Sequence, residues 1–213
     1  KGVDLRYANL TGADLSNVNL NEANLSNDSG RLLGQLDTSL SNANLLGANL
    51  DGVDLRNKDF TGTTLTNANL SRTNLDRVDL SNKDLTGVML LHANLSGANL
   101  DGVDLKNKDL TGVNLSGVDL SYKDLTGTIL INANFAPFSC TKRGCFEAGI
   151  DGYRESTSAT MLNGVDLRNK DLTGVNLSGV DLSNQDLTGT ILAFINLSGA
   201  NLDGVDLRNK DLT

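Results

Sequence analysis

The sequence is poor in the residues from which catalytic and metal sites are usually built. It contains one His, His92, and two Cys, Cys140 and Cys145, and aromatic residues make up only 4% of it. A Ser-His-Asp or Cys-His arrangement needs a His base beside the nucleophile, and a structural zinc site needs four ligands. The sequence therefore predicts no catalytic residue, no cofactor and no metal site, and we expect a protein that is not an enzyme.

Long apolar runs and an excess of basic residues are also missing. No stretch reaches the roughly 18 apolar residues that a transmembrane helix requires, so we expect no membrane insertion. The formal net charge is −8 and the pI is about 4.5, whereas binding to nucleic-acid phosphates needs a surplus of Lys and Arg on one surface. We therefore expect no direct nucleic-acid binding.

What the sequence has is a Leu at every fifth position, as in Leu105, Leu110, Leu115 and Leu120. We call this Leu the centre of a pentad whose slots are −2, −1, centre, +1 and +2. The −2 slot is mostly small or apolar, and the −1 slot is mostly Asp or Asn. A five-residue period fits neither a helix, with 3.6 residues per turn, nor a strand, with a period of 2.

The +2 slot indicates how such a chain folds. It is mostly Gly or Asn, which tolerate the positive φ that the third residue of a type II turn requires. Each pentad is therefore predicted to be a short extended piece followed by a corner. Four pentads would close a coil of about twenty residues, and coils would stack at roughly 4.8 Å with the centre and −2 side chains inside and the others in water.

Tandem units such as Ala43-Asn44-Leu45, Ala98-Asn99-Leu100 and Val118-Asp119-Leu120 resemble the A(D/N)LXX repeats of the pentapeptide repeat family. The resemblance implies an all-β fold, the right-handed quadrilateral β-helix, and for most members no assigned biochemical activity. The chain is most similar to exported members from cyanobacteria and chloroplasts. We expect one solenoid over residues 1–213, with regular repeats in residues 3–26, 38–136 and 160–213, an irregular coil in residues 27–37 and an inserted non-repeat loop in residues 137–159.

Residues 27–37 admit two interpretations. They break the pentad pattern, yet Leu40 returns in the original frame. They form either a surface loop or a coil with irregular sides, and we favour the coil because a solvated loop would have little reason to keep Leu32 and Leu36.

Several Lys residues occupy the inward −2 slot. An unpaired buried ammonium costs several kcal/mol, so we expect these amines to reach backbone carbonyls, the following Asp, or solvent through a corner. Their spacing in a twenty-residue coil places no Lys directly on another, and a cationic ligand-binding row is the functional alternative. The residues are Lys58, Lys83, Lys108, Lys123, Lys170 and Lys210, with Gln185 as a variant.

The inserted loop carries the two Cys residues of the chain. Cys140 and Cys145 either form a disulfide, which we favour because the pair lies in a polar loop, or remain as two free thiols. A disulfide implies an oxidising compartment, and we expect the periplasm or the thylakoid lumen. The loop also supplies our candidate interaction residues, which are the basic tip Lys142 and Arg143 and the aromatic side chains Phe138, Phe146 and Tyr153.

These features favour a non-enzymatic scaffold that presents acidic solenoid faces and a disulfide-tipped loop to a protein partner, whose identity the sequence leaves open. The alternative is a DNA-mimicking modulator of DNA gyrase, as some bacterial members of the family are, although interspersed Lys and Arg dilute the acidic surface. No capping helix follows the last pentads, so we also expect end-to-end self-association. Residues 104–130 recur almost unchanged at residues 166–192, an offset that we interpret as three coils plus two residues.

Overall fold

The computed structural model describes residues 2–6, 8–25, 38–137, 162 and 164–213. Over these ranges the secondary structure consists of turns and isolated parallel β-bridges, without helices or longer strands. Every bridge joins residues in the −1 slots of two pentads. The expected irregular coil and almost all of the inserted loop lie outside the described residues, so their assignment stays a prediction.

The bridges confirm a coil of twenty residues. Asn74 pairs with Asn94, and Asn94 pairs with Asn114, so the chain returns to the same side after four pentads. We call the four stacks of pentads columns 1 to 4, in chain order from the pentads of Asp4, Asn9, Asp14 and Asn19. The right-handed winding stays a prediction.

The offset between paired residues grows at two places. Asn9 pairs with Ser39 and Asn134 pairs with Asn176, so the chain takes extra residues in these two coils. In both cases the described chain stops in column 1 and resumes in column 2. The recurrence of residues 104–130 is therefore offset by two coils, as the series Asn114, Asn134 and Asn176 shows, and our interpretation of three coils was wrong.

The core is a stack of centre and −2 side chains, as predicted. From Leu40 to Phe135 the described centre residues are at most 3% exposed, and small −2 residues such as Ala43 and Val113 are fully buried. Phe60 and Phe135 replace Leu at two centres and are buried as well. Burying a Leu or Phe side chain is worth about 1.5–3 kcal/mol, so these ladders stabilise the coil.

The corners are turns with a positive φ in the +2 slot. All described +2 residues from Gly12 to Asn132 and from Gly164 to Asn209 have φ between 56° and 76°. The −2 N–H of the next pentad donates to the centre carbonyl, as from Ala43 to Leu40 at 2.9 Å. The predicted type II corners are confirmed, because only this common turn combines that bond with positive φ at the third residue alone.

Gly and Asn also interlock along the stack. At the corners of columns 2 and 3 Gly alternates with a larger residue, mostly Asn, from coil to coil. A Cβ added to Gly87 would lie 1.9 Å from Oδ1 of Asn67 in the preceding coil. Gly is therefore favoured at this position for two reasons: its φ is positive, and the Asn67 side chain in the coil below leaves no room for a Cβ.

The prediction that +1 side chains face water is wrong for Ser116. Ser116 is only 6% exposed, because its Oγ donates to Oδ1 of Asn114 at 2.7 Å and accepts from Nδ2 of Asn134 at 2.9 Å. These bonds pull the hydroxyl against the side of the solenoid.

The presence of a bridge correlates with the residue type in the −1 slot of the later pentad. Among the described pairs, the later residue of a bridge is Asn, Ser, Thr, Met or Ile and never Asp. An Asn side chain adds a bond to the coil below, as Nδ2 of Asn94 does to Oδ1 of Asn74 at 3.0 Å, whereas a carboxylate cannot donate; Met89, Ile129 and Ile191 form bridges through the backbone alone. Column 1 is bridged continuously from Asp54 to Asn196. Column 3 has no bridge above Thr64 in the part of the chain that is described, and its −1 slots there hold Asp84, Asp104, Asp124, Asp166, Asp186 and Asp206.

Five −2 Lys side chains donate to backbone carbonyls of the preceding coil, namely Lys83, Lys108, Lys123, Lys170 and Lys210. Nζ of Lys123 lies 2.7 Å from the Leu100 carbonyl oxygen and 3.1 Å from that of Val103. Lys108 and Lys170 bond the carbonyls of Leu85 and Leu125, and Lys83 bonds that of Thr63 at 3.3 Å. The expectation that the amines reach carbonyls is confirmed for these residues, and no described −2 Lys stacks directly on another.

Candidate interaction surface

The loop that the sequence put forward as an interaction site lies outside the described residues. This applies to the Cys140–Cys145 pair and to Phe138, Lys142, Arg143, Phe146 and Tyr153. Both the disulfide and the contact role of these side chains stay predictions. The described surface consists of the outer faces of the four columns.

Column 2 holds most of the excess negative charge. Its described pentads contain six Asp residues and one basic residue, Lys58, a net charge of −5. Lys58 is 5% exposed and lies beneath the surface. The carboxylates occupy the −1 slot in Asp59, Asp79, Asp119 and Asp181 and the +1 slot in Asp101 and Asp203.

The other columns are nearly neutral because their carboxylates are matched by Arg and Lys. Column 1 has three acidic and three basic residues, column 3 has seven and five, and column 4 has five and four. Ion pairs form on each of them: Arg56–Asp54 at 2.7 Å on column 1, Lys106–Asp124 at 3.0 Å and Arg168–Asp166 at 2.8 Å on column 3, and Arg72–Asp51 on column 4. No column 2 carboxylate forms an ion pair with a described residue.

The −1 carboxylates of column 2 accept hydrogen bonds from the +1 N–H of their own pentads, and Asp59 also accepts one from a hydroxyl of the preceding coil. The Ser183 N–H donates to Oδ1 of Asp181 at 2.9 Å and lowers the pKa of that carboxyl. The pKa of Asp59 is lowered mainly by the Ser41 hydroxyl and then by Thr61. Both groups therefore carry their full negative charge at neutral pH.

An aromatic side chain projects from this acidic column. Tyr122 is 83% exposed in the +2 slot with φ of 60°. A Cβ added at Gly164 would lie 2.6 Å from its Cδ1 atom, so the Tyr ring lies over Gly164 of the next coil. Asp119 belongs to the same pentad, and Asp101 lies in the corner one coil below. A ring beside carboxylates suits an Arg side chain, which can stack on the ring and pair with a carboxylate.

Column 4 differs in having apolar residues in its −1 slots. Met89, Ile129 and Ile191 are 48%, 43% and 54% exposed. The −1 slots of the other columns are polar in all described pentads. The sequence predicted acidic faces but did not locate the charge on column 2, and it missed the apolar column, since neither column is contiguous along the chain.

The described ranges contain neither a candidate metal cluster nor a membrane-spanning helix. Those residues contain no group of three or more His, Cys, Asp and Glu side chains placed to hold a metal ion. His92 lies exposed at a corner, as predicted, with φ of 57°. No helix within the described residues is long and apolar enough to cross a membrane.

The pentapeptide repeat profile matches the chain in eight copies, over residues 1–27, 37–57, 43–82, 68–107, 109–136, 158–189 and 181–213. The chain belongs to the pentapeptide repeat family. Its members form repeat β-helices, and the stacked coils described above are such a solenoid.

Solved structures of other pentapeptide repeat proteins match most of the chain. HetL from the cyanobacterium Nostoc sp. strain PCC 7120, involved in heterocyst differentiation regulation, is 26% identical, with 94% of this chain and 87% of HetL covered and a TM-score of 0.59. A trypsin-treated variant of QnrB1, a plasmid-mediated fluoroquinolone resistance protein, is 18% identical, with 94% and 88% covered and a TM-score of 0.50. A protein of the Arabidopsis thaliana thylakoid lumen is 23% identical, with 66% and 70% covered and a TM-score of 0.22. No curated protein sequence matches this chain.

Proposed function

We propose that this pentapeptide repeat protein is a non-enzymatic scaffold whose acidic column 2 binds a basic surface of a protein partner. The observation that carries the proposal is the charge distribution: column 2 has a net charge of −5, and its six carboxylates form no ion pair with described residues. Because the described pentads of the other columns are nearly neutral, column 2 is the surface that attracts cations most strongly. Tyr122 gives the partner an aromatic contact within the same column.

A stack of oriented carboxylates is better suited to binding a basic protein surface than to catalysis. Interfaces between charged surfaces gain association rate and specificity from complementary potentials. Because backbone and hydroxyl donors within the solenoid orient carboxylates such as Asp59 and Asp181, little side-chain entropy is lost when a basic partner binds. The expected partner surface is rich in Arg.

The proposal is tested with an Arg-rich peptide as the probe, measured by calorimetry at low and high salt. We expect binding at low salt that weakens as salt screens the charges. Replacing Asp79, Asp119 and Asp181 with Asn should weaken binding about tenfold or more, since each lost ion pair between an exposed Asp and an Arg of the peptide is worth up to about 1 kcal/mol. Asn already occupies −1 slots of column 2, at Asn99 and Asn201, so the fold should tolerate the change.

The matched control replaces Asp84, Asp104 and Asp186 of column 3 with Asn. It changes the net charge by the same amount, on residues that form no ion pair with a described residue. Equal loss of binding in both variants would mean that only net charge matters and would contradict a column 2 site. The same two variants should then be compared in affinity purification from cells, where the partner should be retained by the control alone.

DNA mimicry remains the alternative function, since an acidic column is the feature that it needs. A DNA gyrase supercoiling assay separates the two. Dose-dependent inhibition or protection that is lost in the column 2 variant would favour the gyrase modulator. An unaffected enzyme would favour the scaffold.

We also propose that the inserted loop contributes to the partner contact and that Cys140 and Cys145 form a disulfide, which would place the protein in the periplasm or thylakoid lumen. The polar context of the two Cys residues supports the bond. Non-reducing mass spectrometry of protein isolated under oxidising conditions tests it. Two free thiols would remove the argument for an oxidising compartment.

A further inference from the structure

Column 4 carries exposed apolar side chains in a regular array. Met89, Ile129 and Ile191 each begin an apolar stretch that runs into the following corner, through Leu91, Ile131 and Phe194 respectively. Phe194 is 75% exposed. We call residues 89–92, 129–132 and 191–194 the three ridges of column 4.

The ridges are equally spaced along the solenoid. Ile129 pairs with Asp109 of the coil below, and Ile191 pairs with Asp171, so one acidic pentad separates neighbouring ridges. At roughly 4.8 Å per coil, successive ridges stand about 10 Å apart. The intervening pentads, residues 109–112 and 171–174, end in Thr-Gly, whose side chains are smaller than those at the ends of the ridges.

The charge of column 4 permits two copies of this acidic chain to approach. Its described pentads have a net charge of −1, and it lies two columns away from the strongly acidic column 2. Contact through column 2 would bring five surplus negative charges of each copy together. Contact through column 4 keeps those charges on the outer sides of the pair.

We infer that column 4 is a side-by-side contact surface for a second copy of this chain. Three equally spaced ridges form a self-complementary surface. A twofold axis through the middle ridge sets Ile129 against itself and Met89 against Ile191 of the second copy, as an isologous interface requires. The contact is lateral and does not involve the ends of the solenoid.

A second copy fits this array better than an amphipathic helix does. Turns of an α-helix repeat every 5.4 Å, so a helix laid along the column loses register with coils spaced about 4.8 Å apart. A second solenoid has the same spacing and stays in register at all three ridges. Sheet faces of this kind pack about 10 Å apart, which leaves space for apolar side chains from both copies.

The test is sedimentation equilibrium of the intact protein over a range of concentrations. We expect a monomer–dimer equilibrium that persists at high salt, because the contact is apolar. Replacing Ile129 with Asp should raise the dimer dissociation constant about 10- to 100-fold, and Ile191→Asp should act in the same direction. Asp occupies the same slot at Asp109 and Asp171, so both variants should fold, which thermal melts monitor.

A second pair of variants tests the arrangement in the opposite direction. The twofold axis sets Asp109 against Asp171 of the second copy, so replacing both with Asn should lower the dissociation constant. Tyr122→Asn is the matched control, because it removes an exposed apolar side chain from column 2, and it should leave the dimer unchanged.

A wild-type protein that remains monomeric at its highest soluble concentration would overturn the inference. A dimer that survives both Ile→Asp changes, or that dissociates in Tyr122→Asn, would place the contact elsewhere. None of these outcomes bears on the binding of a basic partner to column 2.

Discussion

The inward Lys side chains show how a side-chain amine can replace a backbone N–H as the donor in a hydrogen bond between coils. In a bridged pentad the −1 N–H donates to the −2 carbonyl of the coil below, as from Asn114 to Ala93 at 3.0 Å. At Lys123 the side-chain ammonium donates to the equivalent carbonyl of the coil below, that of Val103. The Lys thus satisfies an acceptor for which the described residues provide no other donor.

The contribution of each Lys should depend on whether its carbonyl has a second donor. The Leu85 carbonyl bonded by Lys108 also accepts the Val88 N–H at 2.9 Å, whereas the Val103 carbonyl depends on Lys123. We expect Lys123→Met to cost about 1–3 kcal/mol, the price of one unsatisfied buried acceptor, and Lys108→Met to cost clearly less. Urea unfolding of both variants measures the two losses in the free energy of unfolding. Equal losses would show that a water molecule replaces the Lys123 ammonium at the Val103 carbonyl.

Acid should destabilise the solenoid through its exposed Asp residues. Hydrogen bonds from Thr126, followed by Lys106, lower the pKa of Asp124 to about 2, and hydrogen bonds from Arg168 lower that of Asp166 to about 2. A carboxyl whose pKa is lower in the folded state than in the unfolded chain, where it is about 3.9, stabilises the fold above that value. The stabilisation is lost as pH falls from about 4 to 2.

Thermal melts across this pH window should show a falling midpoint. The Asp124→Asn variant, which cannot titrate, should show a smaller fall. An identical pH profile for the variant and the wild type would contradict a contribution from this carboxyl.

At the scale of the pentad, the corner Gly residues fall into two classes. Gly52 has φ of 72° and open space around an added Cβ, whereas Gly87 has φ of 68° and meets Oδ1 of Asn67. We expect Gly52→Ala to cost about 1 kcal/mol, from the backbone conformation alone. Gly87→Ala should cost more, because a side chain of the coil below must also move.

The Asn67→Gly background separates the two contributions. There the overlap is gone, and adding Gly87→Ala should cost only what Gly52→Ala costs. Chemical denaturation of the four proteins gives the values. If the extra cost of Gly87→Ala persists without Asn67, the interlock between coils is not its cause.

The sequence predicted the pentad well and the columns poorly. The five-residue period, the buried Leu, the positive φ at +2 and the twenty-residue coil follow from local residue chemistry, and the structure confirms them. The assignment of pentads to columns depends on how many residues each interruption takes. That number is fixed by pairs such as Asn9–Ser39 and Asn134–Asn176, which no local pattern encodes. The acidic and apolar columns therefore emerged only from the stacked coils.

At the scale of the whole molecule, the solenoid is bonded unevenly around its axis. Column 1 is bridged at each coil from Asp54 to Asn196, and column 3 lacks bridges above Thr64 within the described residues. Backbone N–H groups without a stable acceptor exchange with solvent more easily. The Asn94 and Asn114 N–H groups should therefore exchange more slowly than those of Asp104 and Asp124, by on the order of tenfold or more.

Hydrogen exchange followed by NMR tests this difference residue by residue. Asp104→Asn is the informative variant, because it places an amide donor above Asp84, and its own N–H should become protected. Uniform protection in columns 1 and 3 would mean that the missing bridges do not weaken the stack.

The interlock between Asn and Gly also constrains how the length of this protein can change. At the corners of columns 2 and 3 the larger residue of one coil lies over the Gly of the next. Removing a single coil would set Asn over Asn or Gly over Gly at the junction, whereas removing two coils would restore every pair. The near-repetition of residues 104–130 at residues 166–192 spans two coils. The smallest length by which the solenoid can grow or shrink without mismatched corners is thus a pair of coils.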